Sequence, residues 1–513
     1  MNEKIVKLAE KYHAGQFRRG AGHIPYITHP ASVARELLAW GEPEDSPAVA
    51  MAWGHDLLED TTVSEAEIID AAGERVLNGI KRLTKPDDVE KRLYIRSVAA
   101  SGDREVLLVK LADRICNSRD FTELNGALYA FQYLHSAECV RDAAAKLPPD
   151  GTAAAGLKAW EEFDATVRSA ARREMIRGCM LGGAVGDALG APVEFLDLKG
   201  IDELYGGVTD YVEFGNGTGS ITDDTQMALF TAEGLLRAEV RGCEKGICHG
   251  PSVVKGAYLR WLRTQGGVLP DDTPDFVPDS GWLIGEKALW QDRAPGRTCI
   301  TALESSKWED LTARNKSKGC GTVMRTAPVG LMFDQEQAYK IGCEVSAITH
   351  GHPTGITAGG AMAMLVSLLV NGKPLEDAVE ELIAFLNDKP DAKETAAALK
   401  KARSAHSVSE LGQGWVAEEA LAIGVYCALK HTWNFKDGVL EAVNIDGDSD
   451  STGAIAGNIL GALNGEAAIP EKWRKNLREH DMVSQVADDL AVRFGEGPDG
   501  HVTREWWEKY PGY

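Results

Sequence analysis

Residues Arg177–Phe195 read RGCMLGGAVGDALGAPVEF and mark the most abrupt change of composition in the chain. This glycine-rich stretch directly follows Ala155–Glu174, an Ala- and Glu-rich run that is typical of a helix. A spacing of four residues places Gly182, Gly186 and Gly190 on one face of a helix, where they permit close helix packing or leave room for a phosphate. We therefore place a domain boundary near residue 173.

Most of the chain has apolar residues three and four positions apart, which indicates helices, and strand-like alternation is scarce. The clearest helical runs are Ser46–Asp60, Gln226–Val240, Ala358–Val370 and Gly453–Leu463. The segment LPPDG (Leu147–Gly151) ends a helix, and Gln265–Gly281 is a long polar loop. We predict an all-α protein with two domains, an N-terminal helical bundle at 1–172 and a larger helical domain at 173–513.

The chain of 513 residues has 77 Asp and Glu against 55 Lys and Arg, a formal net charge of −22. Phosphate binding depends on Lys and Arg, so this balance argues against duplex DNA and anionic membranes as partners, while local basic pockets remain open. The nine cysteines form no CxxC pair, which argues against disulfides and zinc knuckles. The N-terminus lacks an apolar signal segment and the apolar stretch Ala361–Val370 is too short to span a membrane, so we expect a cytoplasmic protein.

A His-Asp pair, His55-Asp56, occurs in the segment AMAWGHDLLED (Ala50–Asp60). On a helix the two side chains point about 100° apart, so both can reach one metal between helices, and Glu59 falls on the same face. Imidazole and carboxylate ligands together suit a Mn, Fe or Zn ion. An exposed acidic helix end explains an isolated pair of this kind better, so the flanking segments decide.

Those flanking segments are GAGHIPYITHP (Gly20–Pro30) and KLADRICN (Lys110–Asn117). The H…HD…D order resembles the HD hydrolases of the RelA/SpoT type over about residues 1–172. The resemblance implies hydrolysis of the 3′-(pyro)phosphate of a guanosine or adenosine alarmone-like nucleotide, (p)ppGpp in particular, although some relatives act on another 3′- or 2′-phosphate. It assigns one Mn²⁺ to His29, His55, Asp56 and Asp113, the attacking water to Glu59 and Asp60, the phosphates to Arg18 and Arg19, and the nucleoside to Asn117. Cys116 stands where the family usually has a histidine.

Two short acidic segments, SITDDT (Ser220–Thr225) and DGDSDST (Asp446–Thr452), each precede a helical run. Carboxylates and hydroxyls favour helix N-termini through capping and the helix dipole, which is a purely structural explanation. A calcium loop is excluded because, counted from Asp446, position 6 is Ser451 rather than Gly and position 12 is Gly457 rather than Glu. If the two segments converge, their oxygens form a site suited to two Mg²⁺ or Mn²⁺ ions.

Together with Arg177–Phe195, these segments resemble the ADP-ribosylglycohydrolases, a family that includes the dinitrogenase-reductase-activating glycohydrolase. Matching segments follow in family order at Arg293–Thr298, Lys318–Arg325, Thr349–Pro353 and Gly447–Asn458. The resemblance covers about residues 173–490 and implies a helical domain that removes ADP-ribose from a protein or a small molecule. It assigns two Mg²⁺ or Mn²⁺ to Thr222, Asp223, Asp224, Asp448, Asp450 and Ser451, catalysis to Glu194, Asp223 and Asp448, and ADP-ribose binding to Gly319, Gly321, Thr322, Val323 and His350.

Structural explanations stay open for Glu194 as a solvated turn residue and for His350 as a hydrogen-bonded core histidine. Ile445-Asp446 departs from the family pattern, because many relatives have a histidine and a small residue at these positions, and this difference affects the rim of the site. Cleavage at the ribose anomeric carbon passes through an oxocarbenium-like state, for which metals orient the ribose and a carboxylate moves the proton.

The two resemblances together predict a bifunctional metal-dependent hydrolase. Two alternatives stay open. In one, the chain is an immunity, antitoxin or nucleotide-sensing protein in which binding matters more than turnover. In the other, both domains process one 3′-phosphorylated ADP-ribose or NADP-like compound. Arginine, serine, a nucleic-acid base and an O-acetyl group all remain open as the group linked to ADP-ribose.

Overall fold

The computed structural model describes residues 2–18, 23–214, 217–493 and 501–512. The fold is all-α, as the sequence predicts. The strands of the described chain form one antiparallel pair, Glu213–Phe214 and Gly217–Thr218, in which Glu213 faces Thr218. By its internal contacts the chain divides into two compact units, residues 1–171 and 172–513.

The helices of the first unit surround an apolar core. They are α1 (Glu3–Tyr12), α2 (Thr28–Ala39), α3 (Pro47–Gly54), α4 (Leu57–Asp60), α5 (Glu65–Ala72), α6 (Glu74–Leu83), α7 (Lys91–Ala100), α8 (Arg104–His135) and α9 (Glu138–Ala144). Ser46 caps α3 with its side chain, and Pro47 occupies the first helical position, where a missing N–H costs nothing. Gly126, with φ 84°, interrupts α8 in a conformation that glycine adopts readily. Contacts among α2, α3 and α8 bring the HD segments together.

Helix α10 (Gly151–Gly190) runs through the stretch where the composition changes. The helices that follow are α11 (Leu198–Tyr205), α12 (Asp223–Lys245), α13 (Gly250–Thr264), α14 (Arg297–Glu304), α15 (Ala327–Met332), α16 (Gln335–Ala347), α17 (Pro353–Val370), α18 (Leu375–Asn387), α19 (Lys393–Ser404), α20 (Ala417–Lys430), α21 (Phe435–Val443), α22 (Ser449–Asn464), α23 (Glu471–Asn476), α24 (His480–Val492) and α25 (Arg504–Lys509). No helix or strand begins between α13 and residue 281, so the predicted polar loop is a loop in this described part of the chain.

Close packing of α10 against α22 explains the regular glycines. A Cβ atom added to Gly186 would lie 2.0 Å from the carbonyl oxygen of Gly453, and one added to Gly182 would lie 2.3 Å from that of Gly457. Gly190 meets the Ser449 carbonyl in the same way, at 2.2 Å. These distances are far below van der Waals contact, so the spacing serves backbone-to-backbone helix packing.

The apolar run expected at Ala361–Val370 belongs to α17, which has 18 residues and is the one described helix apolar and long enough to cross a membrane by itself. Some 89% of this helix is buried inside the protein. The apolarity of α17 is therefore explained by its place in the core of the second unit.

Candidate active sites

Three places in the first unit bring the predicted metal ligands into one cluster. His29 lies in the first turn of α2, Asp113 lies within α8, and His55 and Asp56 lie between α3 and α4. His29 Nε2 is 3.1 Å from Asp113 Oδ1 and 3.3 Å from His55 Nε2. Asp56 Oδ2 is 3.2 Å from His55 Nε2. This convergence of imidazole and carboxylate atoms fits a divalent ion.

The expectation that His55 and Asp56 lie on one continuous helix is wrong. Helix α3 ends at Gly54 and α4 begins at Leu57, so the pair occupies the junction between them. The ring nitrogen Nδ1 of His55 donates to the carbonyl of Ala52 at 2.7 Å. Because a carbonyl only accepts, the proton is on Nδ1, and Nε2 keeps its lone pair for a metal.

The carboxylates of this cluster are held by polar side chains of neighbouring segments. The hydroxyl of Tyr26 lies 2.7 Å from Asp56 Oδ2 and 2.7 Å from Asp60 Oδ2. Burial raises the pKa of Asp113, but the Lys110 ammonium, 3.0 Å from Asp113 Oδ2, and the hydrogen bond from His29 outweigh it and hold this pKa well below its usual range. The ligand carboxylate is therefore ionised, as metal binding requires.

The two predicted acids that follow the His-Asp pair point in different directions. Asp60 is exposed and joins Asp56 through the Tyr26 hydroxyl. Glu59 is also exposed, and its Oε2 accepts a hydrogen bond from the backbone N–H of Lys85 at 3.1 Å. The structure thus brings Asp60 beside the cluster of predicted metal ligands and turns Glu59 toward the segment before α7.

The predicted phosphate and nucleoside contacts lie beside Asp113. Asn117 Nδ2 donates to Asp113 Oδ1 at 2.6 Å, and its Oδ1 accepts from Arg18 at 3.0 Å. Arg18 also pairs with Asp120. Arg19, the second predicted phosphate contact, lies outside the described residues. Cys116 is buried among core side chains, and burial raises the pKa of its thiol to about 12, so it does not replace the histidine of the family as a polar contact.

In the second unit, the two acidic segments lie together at helix N-termini. Thr222 caps α12, which begins with Asp223 and Asp224. Asp448 precedes α22, whose first turn contains Asp450 and Ser451. All six side chains are at most 5% exposed. The Thr222 hydroxyl accepts from the Asp224 N–H at 3.3 Å. The Thr222 side chain also acts to lower the pKa of Asp450, which burial raises, so Thr222 lies close to both segments.

Among the described residues, no Lys or Arg forms an ion pair with the carboxylates of this acidic centre. Asp224 Oδ2, Asp448 Oδ2 and Glu194 Oε2 are buried and have no hydrogen-bond partner within the described chain. Carboxylate oxygens of Glu194, Asp448 and Asp450 lie within 4.8 Å of one another. Burial and repulsion from Asp450 and its neighbours raise the pKa of Glu194 to about 10 and those of Asp224 and Asp448 well above the usual range. Closely spaced carboxylate oxygens of this kind are the ligands that hard divalent ions such as Mg²⁺ or Mn²⁺ prefer.

Asp187 holds the Thr222–Thr225 side of the acidic centre in place through hydrogen bonds, a role that the sequence analysis did not predict. Its carboxylate accepts the Thr222 N–H at 2.9 Å, the Thr225 N–H at 3.1 Å and the Thr225 hydroxyl at 2.5 Å. Burial and the nearby Asp450 charge raise its pKa to about 7. The available signal was an acidic residue in an otherwise apolar, glycine-rich helical stretch, because a buried acid needs donors.

Two aromatic residues at the rim also escaped the sequence reasoning. Phe195 follows Glu194 directly and is 75% exposed. Its ring stacks on Trp415 with a centroid separation of 5.8 Å and an interplanar angle of 18°. The two residues are far apart in sequence, so no local pattern joins them. Asp446, the departure from the family pattern, is exposed and accepts the Leu198 N–H at 2.6 Å, which ties the segment after Phe195 to the Asp448 segment.

The predicted ADP-ribose contacts divide into two groups. Gly319 and Gly321 flank His350: added Cβ atoms would lie 3.4 Å from its Nε2 and 3.2 Å from its Cε1. Thr322 and Val323 are fully buried, and the Thr322 hydroxyl donates to the Gly355 carbonyl at 2.7 Å, so these two side chains face the core. The structure therefore groups the glycines with His350 and separates them from Thr322 and Val323.

Comparison with known proteins gives two family matches. The model of the ADP-ribosylglycohydrolase family matches residues 168–499, and that of the HD domain matches residues 6–130. The ADP-ribosyl-[dinitrogen reductase] glycohydrolase of Rhodospirillum rubrum is 27% identical over 333 residues, which cover 61% of this chain and 95% of the relative. ADP-ribosylarginine hydrolase Tri1 of Pseudomonas putida is 25% identical over 329 residues, covering 62% of this chain and 78% of that relative.

The first unit has a different set of relatives. The GTP pyrophosphokinase rsh of Brucella ovis is 36% identical over 128 residues, which cover 23% of this chain and 16% of the relative. The chain thus spans a small part of that protein. The match to the ADP-ribosylglycohydrolase family covers most of the present chain, and the match to the HD domain includes His29, His55 and Asp113. The chain belongs to the ADP-ribosylglycohydrolase family of hydrolases and carries an HD domain in its first unit.

Proposed function

We propose that the second unit removes ADP-ribose from a modified protein side chain or a small molecule at its acidic centre. The observation that carries this proposal is the set of buried carboxylate oxygens on Glu194, Asp224 and Asp448 that have no partner in the described chain. Two relatives bear the names ADP-ribosylarginine hydrolase and ADP-ribosyl-[dinitrogen reductase] glycohydrolase. An ADP-ribosylated arginine is therefore the first substrate to test.

Thr222, Asp223, Asp224, Asp448, Asp450 and Ser451 would hold two Mg²⁺ or Mn²⁺ ions, which would supply positive charge to orient the ribose hydroxyls and the attacking water. Glu194 lies within 4.8 Å of two of these acids, where its carboxyl can give a proton to the leaving group. The glycosidic bond breaks at the anomeric carbon, the bonding electrons leave with the acceptor atom, and water takes its place. Asp187 holds Thr222 and Thr225 in place during this exchange.

For the first unit, we propose hydrolysis of the 3′-(pyro)phosphate of a guanosine or adenosine alarmone-like nucleotide. His29, His55, Asp56 and Asp113 would hold one Mn²⁺, which would polarise the phosphoryl group and lower the pKa of water. Tyr26 keeps Asp56 and Asp60 side by side, and Asp60 is placed to accept the proton of the attacking water. Arg18 and Asn117 are hydrogen bonded to each other beside Asp113, where they would contact the phosphates and the nucleoside.

Separate inactivation of the two sites tests the bifunctional proposal. The whole chain, with Mn²⁺ and Mg²⁺, is offered ppGpp and an ADP-ribosylarginine protein in separate product assays. We expect Asp56→Asn to abolish only the first activity and Asp223→Asn only the second, because each substitution weakens one ligand set. Exposed acids provide matched controls, Asp70→Asn for the first unit and Asp481→Asn for the second.

The outcomes of this assay are distinct. Loss of both activities in either variant contradicts independent sites. A wild-type chain that cleaves neither substrate contradicts the proposed substrates and supports the alternatives of a binding role or of a 3′-phosphorylated ADP-ribose compound, which is then offered in the same assay.

A further inference from the structure

The contacts of a fully buried arginine in the second unit include no carboxylate in the described chain. Arg325 Nη2 donates to the Thr349 hydroxyl oxygen at 2.7 Å and to the Val345 carbonyl at 3.3 Å. Its Nη1 lies 3.4 Å from the Cys299 sulfur, and its guanidinium stands over the ring of Tyr258 at 4.6 Å. Burying a charge without an ion pair costs free energy, so a functional reason for Arg325 is worth seeking. Its shortest hydrogen bond, to the Thr349 hydroxyl, suggests where to look.

This hydrogen bond determines the protonation of the neighbouring histidine. An arginine only donates, so the Thr349 oxygen accepts from Arg325, and its own hydrogen is available for His350 Nδ1, 2.8 Å away. The thiol of Cys299 also contacts this hydroxyl, but sulfur is a much weaker acceptor. His350 Nδ1 is then the acceptor, and the ring proton is on Nε2. Burial and the charge of Arg325 lower the pKa of His350 to about 3, so the ring is neutral.

The protonated Nε2 faces the glycine segment next to the acidic centre. Added Cβ atoms on Gly319 and Gly321 would lie within 3.4 Å of the His350 ring, so the two glycines leave space beside it. Between them lies Cys320, where burial and the nearby charges of Asp448 and Asp224 raise the pKa of the thiol well above its usual range. In the described ranges, no residue accepts a hydrogen bond from Nε2, which leaves this donor available to a ligand oxygen.

We propose that Arg325 and Thr349 are positioning residues that hold His350 as its neutral Nε2–H tautomer, so that the ring donates a hydrogen bond to a ribose or phosphate oxygen of the bound ADP-ribosyl group. The proposal rests on the proposed function of the second unit and adds how the site recognises its substrate. Without the Thr349 hydroxyl, the ring proton can move to Nδ1. Nε2 then presents a lone pair to the substrate oxygen, and attraction becomes repulsion.

The tautomer is measured directly by ¹⁵N NMR of the whole chain labelled at histidine, with His350→Gln used to assign the His350 signals. We expect Nδ1 to resonate as an unprotonated nitrogen and Nε2 as a protonated one in the wild-type protein. Thr349→Val, which keeps the side-chain shape, mixes or reverses the two signals, and Thr349→Ser restores them. A wild-type His350 with its proton on Nδ1 overturns the proposal, whatever the activity.

Binding and kinetics test the consequence for the substrate. We expect Thr349→Val to weaken binding of free ADP-ribose, measured calorimetrically with Mg²⁺, and to raise KM on the ADP-ribosylarginine protein about tenfold, the usual worth of one hydrogen bond, with little change in kcat. Thr349→Ser restores both values. Thr357→Val is the matched control, because this threonine is buried and its hydroxyl is hydrogen bonded to Thr395 instead of His350.

Four results would contradict the proposal. A Thr349→Val variant with normal KM and normal ADP-ribose affinity overturns it, as does an equal rise of KM in Thr357→Val. A wild-type chain that does not bind ADP-ribose overturns the proposed function of the unit and this role of His350 together, whereas an Nδ1–H tautomer overturns the relay from Arg325 alone.

Discussion

Replacing Gly186 by alanine should uncouple the acidic centre from the scaffold that carries it. The added Cβ would lie 2.0 Å from the Gly453 carbonyl oxygen, whereas ordinary contact begins at 3.4 Å, so α22 must move by 3.4 − 2.0 = 1.4 Å at this point. Asp448 and Asp450 lie at the N-terminal end of α22, within two turns of Gly453. A displacement of about 1 Å in a catalytic site costs roughly a hundredfold in rate. We therefore expect a comparable loss of ADP-ribosyl hydrolysis from Gly186→Ala.

The expected effect on stability is smaller than the effect on activity. Overpacking of a tight contact costs roughly 1–3 kcal/mol, while Gly→Ala in a helix interior gains about 1 kcal/mol in helix propensity. The free energy of unfolding should therefore fall by no more than about 2 kcal/mol, measured by urea denaturation with Mg²⁺ present. Activity on the ADP-ribosylarginine protein is measured on the folded variant in the same buffer.

Gly242→Ala is the matched control, because Gly242 lies within α12 and an added Cβ there meets nothing closer than 4.0 Å. It should gain up to about 1 kcal/mol of stability and keep full activity. If Gly186→Ala is as stable and as active as this control, the contact between α10 and α22 does not determine the position of Asp448 and Asp450, and the reasoning is refuted.

Four further outcomes are expected. Tyr26→Phe removes the hydroxyl that joins Asp56 and Asp60, so Mn²⁺ affinity, measured by titration, should fall about tenfold or more. Asp187→Asn leaves donors of Thr225 unpaired and should cost about 2 kcal/mol or more in urea unfolding. Removal of divalent ions by a chelator should lower the unfolding midpoint of the second unit, and Mg²⁺ at a hundred times its Kd should restore about 2.7 kcal/mol. Burial lowers the pKa of His350 to about 3, so below about pH 6.5 only the unfolded chain binds this proton and stability falls by about 2 kcal/mol at pH 5.

Each of these expectations has an opposing result. Unchanged Mn²⁺ affinity in Tyr26→Phe, or unchanged unfolding in Asp187→Asn, would show that these hydrogen bonds are dispensable. A chelator without effect would contradict the need of the crowded carboxylates for cations. The pH slope between 7 and 5 should be flatter in His350→Gln than in the wild type, and equal slopes would contradict a buried neutral histidine.

Local sequence patterns predict the helices and the two acidic segments at helix N-termini, because capping and periodicity are properties of neighbouring residues. They do not predict tertiary partners. Asp187 lies in the quoted glycine-rich stretch, yet its role depends on Thr222 and Thr225, which follow in another helix. The glycine spacing fits both a phosphate site and helix packing, and the contact with α22 identifies the packing.

The first unit shows the same limit at shorter range. The sequence pattern predicts one helix that runs through His55-Asp56 into LLED, but the helix is interrupted at this pair. Glu59 therefore contacts Lys85 instead of the predicted metal ligands. Periodicity shows which face of a helix is apolar, and it cannot reveal a two-residue break between helices. Phe195 and Trp415 carry no shared pattern at all, because only the folded chain places them together.

The pairing of α10 with α22 also sets the order of events during synthesis. The glycines of α10 emerge from the ribosome well before their partners, since Gly186 and Gly453 are separated by 453 − 186 = 267 residues. At about 5–20 residues per second, this interval lasts roughly 13 to 50 s. During that time α22 is not yet available to pack against the glycine face of α10, and the Asp446–Thr452 segment is not yet available beside Asp223 and Asp224. The proposed metal site of the second unit is therefore completed late, when α22 docks.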